Sequence, residues 1–290
     1  MSEYKIAVMG DSFLDKYSFY DSYRTSPEAD VPVIINQNAK YFPGGASLVS
    51  CVIAEKNIEV DLYTRLGNSK ESNIISEFLY DRNVNIFDYS TNFKTILKDR
   101  VIVNNKYFLR IDDEKITSLE NPSQLIHDFT KHHEHYDFVV LSDYSKGFFS
   151  DTVSKFICSL NIKDKTILDP KPGSKLEMRN WAFLKPNFDE GILISSKNKP
   201  SEIIKEINKS HNTSTILTKG AEGVFYQNHQ SKKIEHIKPK KFDEVVDTSG
   251  SGDIFLGNFV SSYLITNDIK QSIVCATEAT QKPLSRYGYW

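Results

Sequence analysis

The stretch of this 290-residue sequence best equipped for chemistry is Val246-Asp247-Thr248-Ser249-Gly250-Ser251-Gly252-Asp253, which runs straight into the apolar residues Ile254, Phe255, Leu256, Phe259, Val260, Tyr263 and Leu264. Glycines let successive backbone N–H groups turn toward one point, and the positive end of a helix dipole adds to them. Such a loop suits a phosphate. A carboxylate at its end is out of place in a pure anion site, because Asp253 would repel the bound group. Taking a proton from an attacking hydroxyl beside a transferring phosphoryl group is the task that fits it. A glycine-rich turn with Asp253 as a helix cap fits the same pattern, so the loop by itself leaves both open.

A loop of this kind needs a scaffold, and the sequence supplies one. Short apolar runs end repeatedly in turn residues: Ile6-Ala7-Val8-Met9 before Gly10-Asp11, Phe138-Val139-Val140-Leu141 before Ser142-Asp143, and Thr166-Ile167-Leu168 before Asp169-Pro170. Phe183-Leu184 precedes Lys185-Pro186-Asn187, and Thr215-Ile216-Leu217 precedes Thr218-Lys219-Gly220. Segments of helical spacing lie between several of them, Asp151 to Leu160 and Ser201 to Asn208 among them. The expected fold is α/β, a mostly parallel central sheet flanked by helices. In such sheets the ligand crevice lies outside the carboxyl ends of the strands, so polar residues far apart in sequence would meet along one edge. Residues 17–40, with Val31, Val33 and Ile35 at period two, and residues 95–111, with a turn-like Asn104-Asn105, break the alternation. Both read as strands outside the main sheet, forming a small β lid; an antiparallel extension of the main sheet fits the pattern as well. With no internal repeat or linker, residues 1–290 are expected as a single domain.

Composition narrows the partners. Lys+Arg 36 against Asp+Glu 38 gives a net charge of -2, so there is no global field to attract nucleic acid. Cys51, Cys158 and Cys275 are odd in number and widely spaced, which indicates neither a disulfide framework nor a cysteine zinc site. The four apolar residues Ile6 to Met9 are too few for a signal-peptide core, and no apolar run approaches the roughly 20 residues of a membrane-spanning helix. The expectation is a cytoplasmic protein with neither a membrane nor a nucleic-acid partner. His132, His133 and His135 lie on a polar stretch without matching ligands and read as a solvated helix end.

Asp247-Thr248-Ser249-Gly250-Ser251-Gly252-Asp253 resembles the D-T-x-G-A-G-D signature of the ribokinase-like, or PfkB-type, carbohydrate kinases. The likeness spans nearly the whole chain, through Gly10-Asp11 and Asp15, Pro43-Gly44-Gly45-Ala46, Asn187-x-x-Glu190, and Thr218-Lys219-Gly220 with Gly223. The resemblance implies a ribokinase-like fold, ATP with Mg2+ as the phosphoryl donor, Asp253 as catalytic base, and Gly250, Ser251 and Gly252 as the anion hole. It implies that Asp15, Gly44 and Gly45 hold sugar hydroxyls. Asn187 and Glu190 would support magnesium and phosphate, with Thr218, Lys219, Gly220, Gly223, Asp247 and Thr248 near the nucleotide. Within the family, Arg24-Thr25-Ser26-Pro27-Glu28-Ala29-Asp30-Val31-Pro32-Val33, Leu141-Ser142-Asp143-Tyr144-Ser145-Lys146-Gly147 and Asp169-Pro170-Lys171 are similar to the D-glycero-D-manno-heptose 7-phosphate kinases. So is the pairing of Lys98-Asp99-Arg100-Val101 with Arg110-Ile111-Asp112.

Elementary chemistry bears on these assignments. Asn187 and Glu190, three apart at a strand-to-helix turn, share a helical face and could hold a hydrated magnesium ion through water, although a capping box fits the same spacing. Asp15 and Asp143 are candidates for accepting hydrogen bonds from sugar hydroxyls. Lys98, Arg100, Arg110 and Lys171 are candidates for the substrate's own phosphate. Two departures stand out. The heptose kinases read G-G-A-A-N where this chain reads Gly44-Gly45-Ala46-Ser47-Leu48, so an amide gives way to an apolar side chain, with Ser47 as a substitute hydroxyl. Ser251 replaces the usual Ala in the anion hole and keeps its backbone donor, while the stretch Ala276 to Trp290 is more aromatic than the family's closing helix. The expected activity is phosphorylation of a sugar phosphate, heptose 7-phosphate first, with a homodimer through the lid. Another PfkB-type carbohydrate or nucleoside kinase, or a non-catalytic sugar- or nucleotide-binding relative, is the alternative.

Overall fold

Strands buried on both faces form the spine of the molecule. The computed structural model describes residues 3–240 and 245–289. In β1 (Lys5–Gly10), Ile6 and Val8 enter one core layer while Ala7 and Met9 enter the other, which is why the strand reads as a continuous apolar run. It leads into two long strands, β2 (Ser12–Thr25) and β3 (Pro32–Gly45), followed by α1 (Ala46–Ala54), β4 (Glu59–Thr64), α2 (Lys70–Tyr80) and β5 (Asn85–Asp88). Next come β6 (Ile96–Val103), β7 (Lys106–Asp113), α3 (Pro122–His132), β8 (Phe138–Asp143), α4 (Asp151–Ser159), β9 (Thr166–Pro170) and β10 (Phe183–Leu184). The rest is α5 (Phe188–Ser195), α6 (Pro200–His211), β11 (Ser214–Thr218), β12 (Val224–Gln227), β13 (Glu235–Ile237), α7 (Ser251–Thr266) and α8 (Ile269–Gln281).

Nine strands form the central sheet in the order β13-β12-β11-β10-β9-β8-β1-β4-β5. Pairing is parallel from β11 to β5 and antiparallel where β12 and β13 extend it. Val49, Ile53, Phe255, Phe259 and Ile273 from α1, α7 and α8 pack on one face. Phe129, Val153, Ile157 and Ile203 from α3, α4 and α6 pack on the other. The carboxyl ends of β1, β8, β9, β10 and β11 therefore bring Asp11, Asp143, Asp169, Lys185 and Thr218 to one edge.

A second sheet, β3-β2-β6-β7, stands apart from the first. Its strands reach beyond 17–40 and 95–111, because β2 starts at Ser12 directly after β1 and β3 runs on to Gly45. Asn104 and Asn105 join β6 to β7 with φ of 49° and 59°, the left-handed pair that a two-residue hairpin turn requires. Among the described residues, no helix is long and apolar enough to cross a membrane.

Asp11 fixes the edge of the main sheet. Its carboxylate accepts backbone N–H bonds from Tyr144 at 3.2 Å, Lys146 at 2.9 Å and Phe148 at 3.1 Å, folding the segment after β8 back over β1. Replacing Asp11 by Ala strands three donors in a buried setting. The variant is expected to lose roughly 3 kcal/mol of unfolding free energy in urea denaturation, and an unchanged midpoint would contradict the clamp.

Candidate active site

Helix α7 begins with a glycine in a left-handed conformation. Gly250 has φ 70° and caps the helix, leaving Ser251, Gly252 and Asp253 as its first three residues. Their N–H groups have no acceptor within the helix; that of Ser251 turns back to the loop, leaving those of Gly252 and Asp253 as outward donors. A side chain on Gly252 would meet no atom within 4 Å, so the loop opens onto free space at that point. Asp247 holds the loop in shape: it accepts the Ser249 N–H at 2.9 Å and the Tyr17 hydroxyl at 2.5 Å, while the Thr248 carbonyl accepts the Ser251 N–H at 3.3 Å. Asp247 and Thr248 are thus engaged in building the loop.

Asp253 is 2% exposed. The Tyr144 hydroxyl donates to its Oδ1 at 2.8 Å, and the Gly45 N–H donates to Oδ2 at 3.2 Å. Burial, reinforced by the negative charge of Asp169, pushes its carboxyl up to about 6; the Tyr144 hydrogen bond and the charges of Lys171 and Lys185 work the other way. A base in this range is ionised near neutrality yet still basic enough to take a proton.

Asp169 organises the cations. Its Oδ1 lies 3.0 Å from the Lys185 ammonium and 3.3 Å from that of Lys171, and Lys171 also reaches Glu190 at 2.9 Å. Burial opposes the charge on Lys171, but Asp169 and Glu190 outweigh it and hold the lysine above its ordinary range. Asn187 and Glu190 form the reciprocal capping box of α5: Glu190 N–H donates to Asn187 Oδ1 at 2.9 Å, and Asn187 N–H donates to Glu190 Oε2 at 2.7 Å. Both Glu190 oxygens are thereby engaged, and no group of three or more His, Cys, Asp or Glu among the described residues could hold a metal directly. Asn187 bridges to Thr218 at the end of β11. Lys219 pairs with Glu222 at 2.9 Å and lies over Phe188, while Gly220 and Gly223 turn the chain with φ of 47° and 93°.

Across the cleft, Asp15 is buried on β2 and hydrogen-bonds Arg100 and Tyr289. The Phe13 ring lies against Gly44 and Gly45; a Cβ on Gly44 would come within 2.2 Å of it. Ser47 is fully buried and donates to the Gly44 carbonyl at 2.8 Å, so its hydroxyl is spent inside the chain. Asp143 accepts the Ser145 N–H at 2.8 Å through Oδ1, and its buried Oδ2 has no hydrogen-bond partner among the described residues. Of the four basic candidates, Arg100 is bound to Asp15, Arg110 to Asp112 and Lys171 to Asp169 and Glu190. Lys98 alone makes no ion pair among the described residues. Its ammonium sits 3.5 Å from the Phe13 ring centre and 5.2 Å from that of Tyr144; burial lowers its pKa against the pull of Asp15 and Asp253.

Tyr144 and Lys185 were not assigned roles from sequence. Tyr144 directly follows Asp143 at the polar end of one apolar run, and Lys185 is the first residue after the run Phe183-Leu184; that position was the available signal. Tyr144 stabilises the ionised form of Asp253, so removing its hydroxyl should raise the carboxyl pKa. Carbon-detected NMR is expected to place the Asp253 midpoint near 6 and to move it upward in Y144F; a downward or absent shift would contradict the geometry.

Residues 5–288 match the pfkB family of carbohydrate kinases. Bifunctional protein HldE from Gluconobacter oxydans is 27% identical over 98% of this chain, and that from Campylobacter concisus is 28% identical over 98%. Each alignment covers 61% of the relative, so the chain spans about 60% of the length of the curated relatives it matches. Among solved structures, a ribokinase from Thermotoga maritima superposes with a TM-score of 0.76 at 18% identity, covering 99% of this chain and 94% of that one. The tetrameric inhibited form of phosphofructokinase-2 from Escherichia coli gives 0.76 at 16%, covering 97% and 94%. Ribokinase from Arabidopsis thaliana complexed with ribose and ATP gives 0.71 at 16%, covering 99% and 94%. These likenesses show the ribokinase-like α/β fold. With the family matched over almost its whole length, the chain belongs to the pfkB carbohydrate kinases, phosphotransferases that act on an alcohol group.

Proposed function

We propose that this kinase transfers the γ-phosphate of ATP to the anomeric hydroxyl of D-glycero-D-manno-heptose 7-phosphate, giving the 1,7-bisphosphate. The observation that carries the reading is Asp253, a buried carboxylate raised to about 6, set at the open amino end of α7. Asp253 takes the hydroxyl proton as the oxygen attacks, and the N–H groups of Gly250 to Gly252 meet the charge on the transferring phosphoryl oxygens. Magnesium, carried on the nucleotide phosphates, would neutralise their charge, with Glu190 reaching it through water. Lys98 is the cation left to meet the acceptor's own phosphate. The substrate assignment is supported by the heptose-kinase-like segments 24–33 and 141–147 and by the likeness to the HldE proteins. A cytoplasmic setting, with its ATP, fits this chemistry.

One observation favours a second reading, a relative that binds sugar or nucleotide without turnover, or a kinase of another sugar. Phe13 and Tyr289 lie against the Gly44-Gly45 pair and Gly250, where an acceptor would be expected.

A coupled ADP assay with heptose 7-phosphate, fructose 6-phosphate and ribose separates these readings. Heptose 7-phosphate is expected to give the highest kcat/KM, with an acid limb near pH 6 as Asp253 protonates. Replacing Lys98 by Met should raise KM for the phosphorylated sugar roughly tenfold or more and leave KM for ATP unchanged. ADP formation with none of the sugars would favour the binding protein, and preference for ribose would discard the heptose assignment.

A homodimer through the four-stranded sheet belongs to the same proposal. Its edge strand β7 exposes Tyr107, Phe108, Leu109 and Ile111, and β3 exposes Ile35. Light scattering at micromolar concentration should give twice the chain mass of 33.2 kDa; a monomer would remove the dimer from the reading.

A further inference from the structure

The part of the cleft beside Asp15 is filled by the chain itself. Asp15 is 1% exposed, and both carboxylate oxygens are occupied: Arg100 donates to Oδ1 and the Tyr289 hydroxyl donates to Oδ2. The Tyr289 ring packs 5.3 Å from that of Phe42, centre to centre. A Cβ built on Gly250 would lie 2.5 Å from the Tyr289 ring and 3.0 Å from Leu48, so both side chains stand directly against the phosphate loop. Leu48 is fully buried in one cluster with Tyr17, Phe42, Ile254 and Tyr289.

This packing gives the departure at residue 48 a physical reason. An amide buried in this apolar cluster would lose its hydrogen bonds, whereas a leucine gains contact there. The segment carrying Tyr289 is also pinned. A side chain on Gly288 would come within 2.2 Å of the Phe42 ring, the Gly288 N–H points to Asp247 Oδ2 at 3.4 Å, and the Tyr287 hydroxyl donates to the Asn105 carbonyl at 3.1 Å. One short stretch therefore touches the loop before α7, the turn between β6 and β7, and Asp15.

We propose that Tyr289, backed by Leu48, is a specificity-determining residue whose hydroxyl stands in for an acceptor hydroxyl on Asp15 and narrows the acceptor pocket on that side. The inference deepens the kinase reading and rests on Asp15 as an acceptor-binding carboxylate. An acceptor that fits reaches Asp253 from the side of Phe13, Tyr144 and Lys98, turning its phosphate to Lys98 and few hydroxyls to Asp15. Sugars that depend on several hydrogen bonds to that carboxylate compete with the tyrosine and bind weakly.

Isothermal titration calorimetry of the full chain with heptose 7-phosphate, fructose 6-phosphate and ribose tests this directly, because it reads binding rather than turnover. Y289F keeps the ring and its packing but removes the competing hydroxyl, so at least one sugar is expected to bind about tenfold more tightly. Y289A should additionally admit a sugar that the wild type rejects. An unchanged or weaker Kd for every sugar in Y289F, or no binding by any of the three proteins, overturns the inference. If Y289A fails to fold, Y289F decides alone. Tighter binding in Y289F without ADP formation from any sugar would count against the kinase reading and leave the role of Tyr289 standing.

Discussion

Keeping the Asp253 carboxylate out of water, yet ionised, is the constraint around which the cleft is arranged. Desolvation disfavours the charged form, and the nearby Asp169 disfavours it further. Against this stand one hydroxyl, one backbone N–H and two lysines held by Asp169 itself. The opposing effects leave the group at about 6, so at neutral pH it is largely ionised and still basic enough for proton transfer. Asp169 has two effects at once: it repels Asp253 and recruits the cations that offset the repulsion. Lys185, at 2% exposed, is tolerable in the interior only because that partner lies 3.0 Å away.

The fold supplies this arrangement through parallel strand ends. β8, β9 and β10 are neighbours in the sheet, so residues at or just past their carboxyl ends converge without long-range side chains: Tyr144, Asp169 with Lys171, and Lys185. The Asp11 clamp folds the segment after β8 inward and thereby sets the Tyr144 hydroxyl on Asp253. The second sheet begins only two residues after β1 ends, which puts Asp15 and Lys98, adjacent across the β2–β6 ladder, on the opposite wall.

Much of this was legible in sequence, for physical reasons. β1, β8, β9, β10 and β11 announce themselves as apolar runs ending in turn residues, because a strand buried on both faces has little choice of composition. The glycine loop and Asp253 were visible because the left-handed cap at Gly250, with the Tyr289 ring 2.5 Å from where a Cβ would sit, suits glycine. β4 was missed: Glu59-Val60-Asp61-Leu62 alternates charge and apolar residues, and Asp61 is buried against partners from other parts of the chain, Tyr136 at 2.6 Å, Asn85 at 2.8 Å and Lys5 at 3.1 Å. The capping box of Asn187 and Glu190 was legible as one of two readings of their spacing, whereas the spending of Arg100 on Asp15 and of Ser47 on Gly44 was invisible. Spacing shows that a group is present, not which neighbour has taken it. Tyr289 is the clearest case, 274 residues from the carboxylate it binds.

The most direct measurement is single-turnover transfer by Asp253→Asn beside nucleotide binding by the same preparation. Asn keeps the size of the side chain and an acceptor for Tyr144 but cannot take a proton. If the cleft is built around an ionised base, sugar-dependent ADP formation falls at least a thousandfold, on the order of what a general base contributes, while the Kd for ATP stays within about twofold of wild type. Transfer at near wild-type rate with ATP bound as before would contradict the assignment of Asp253.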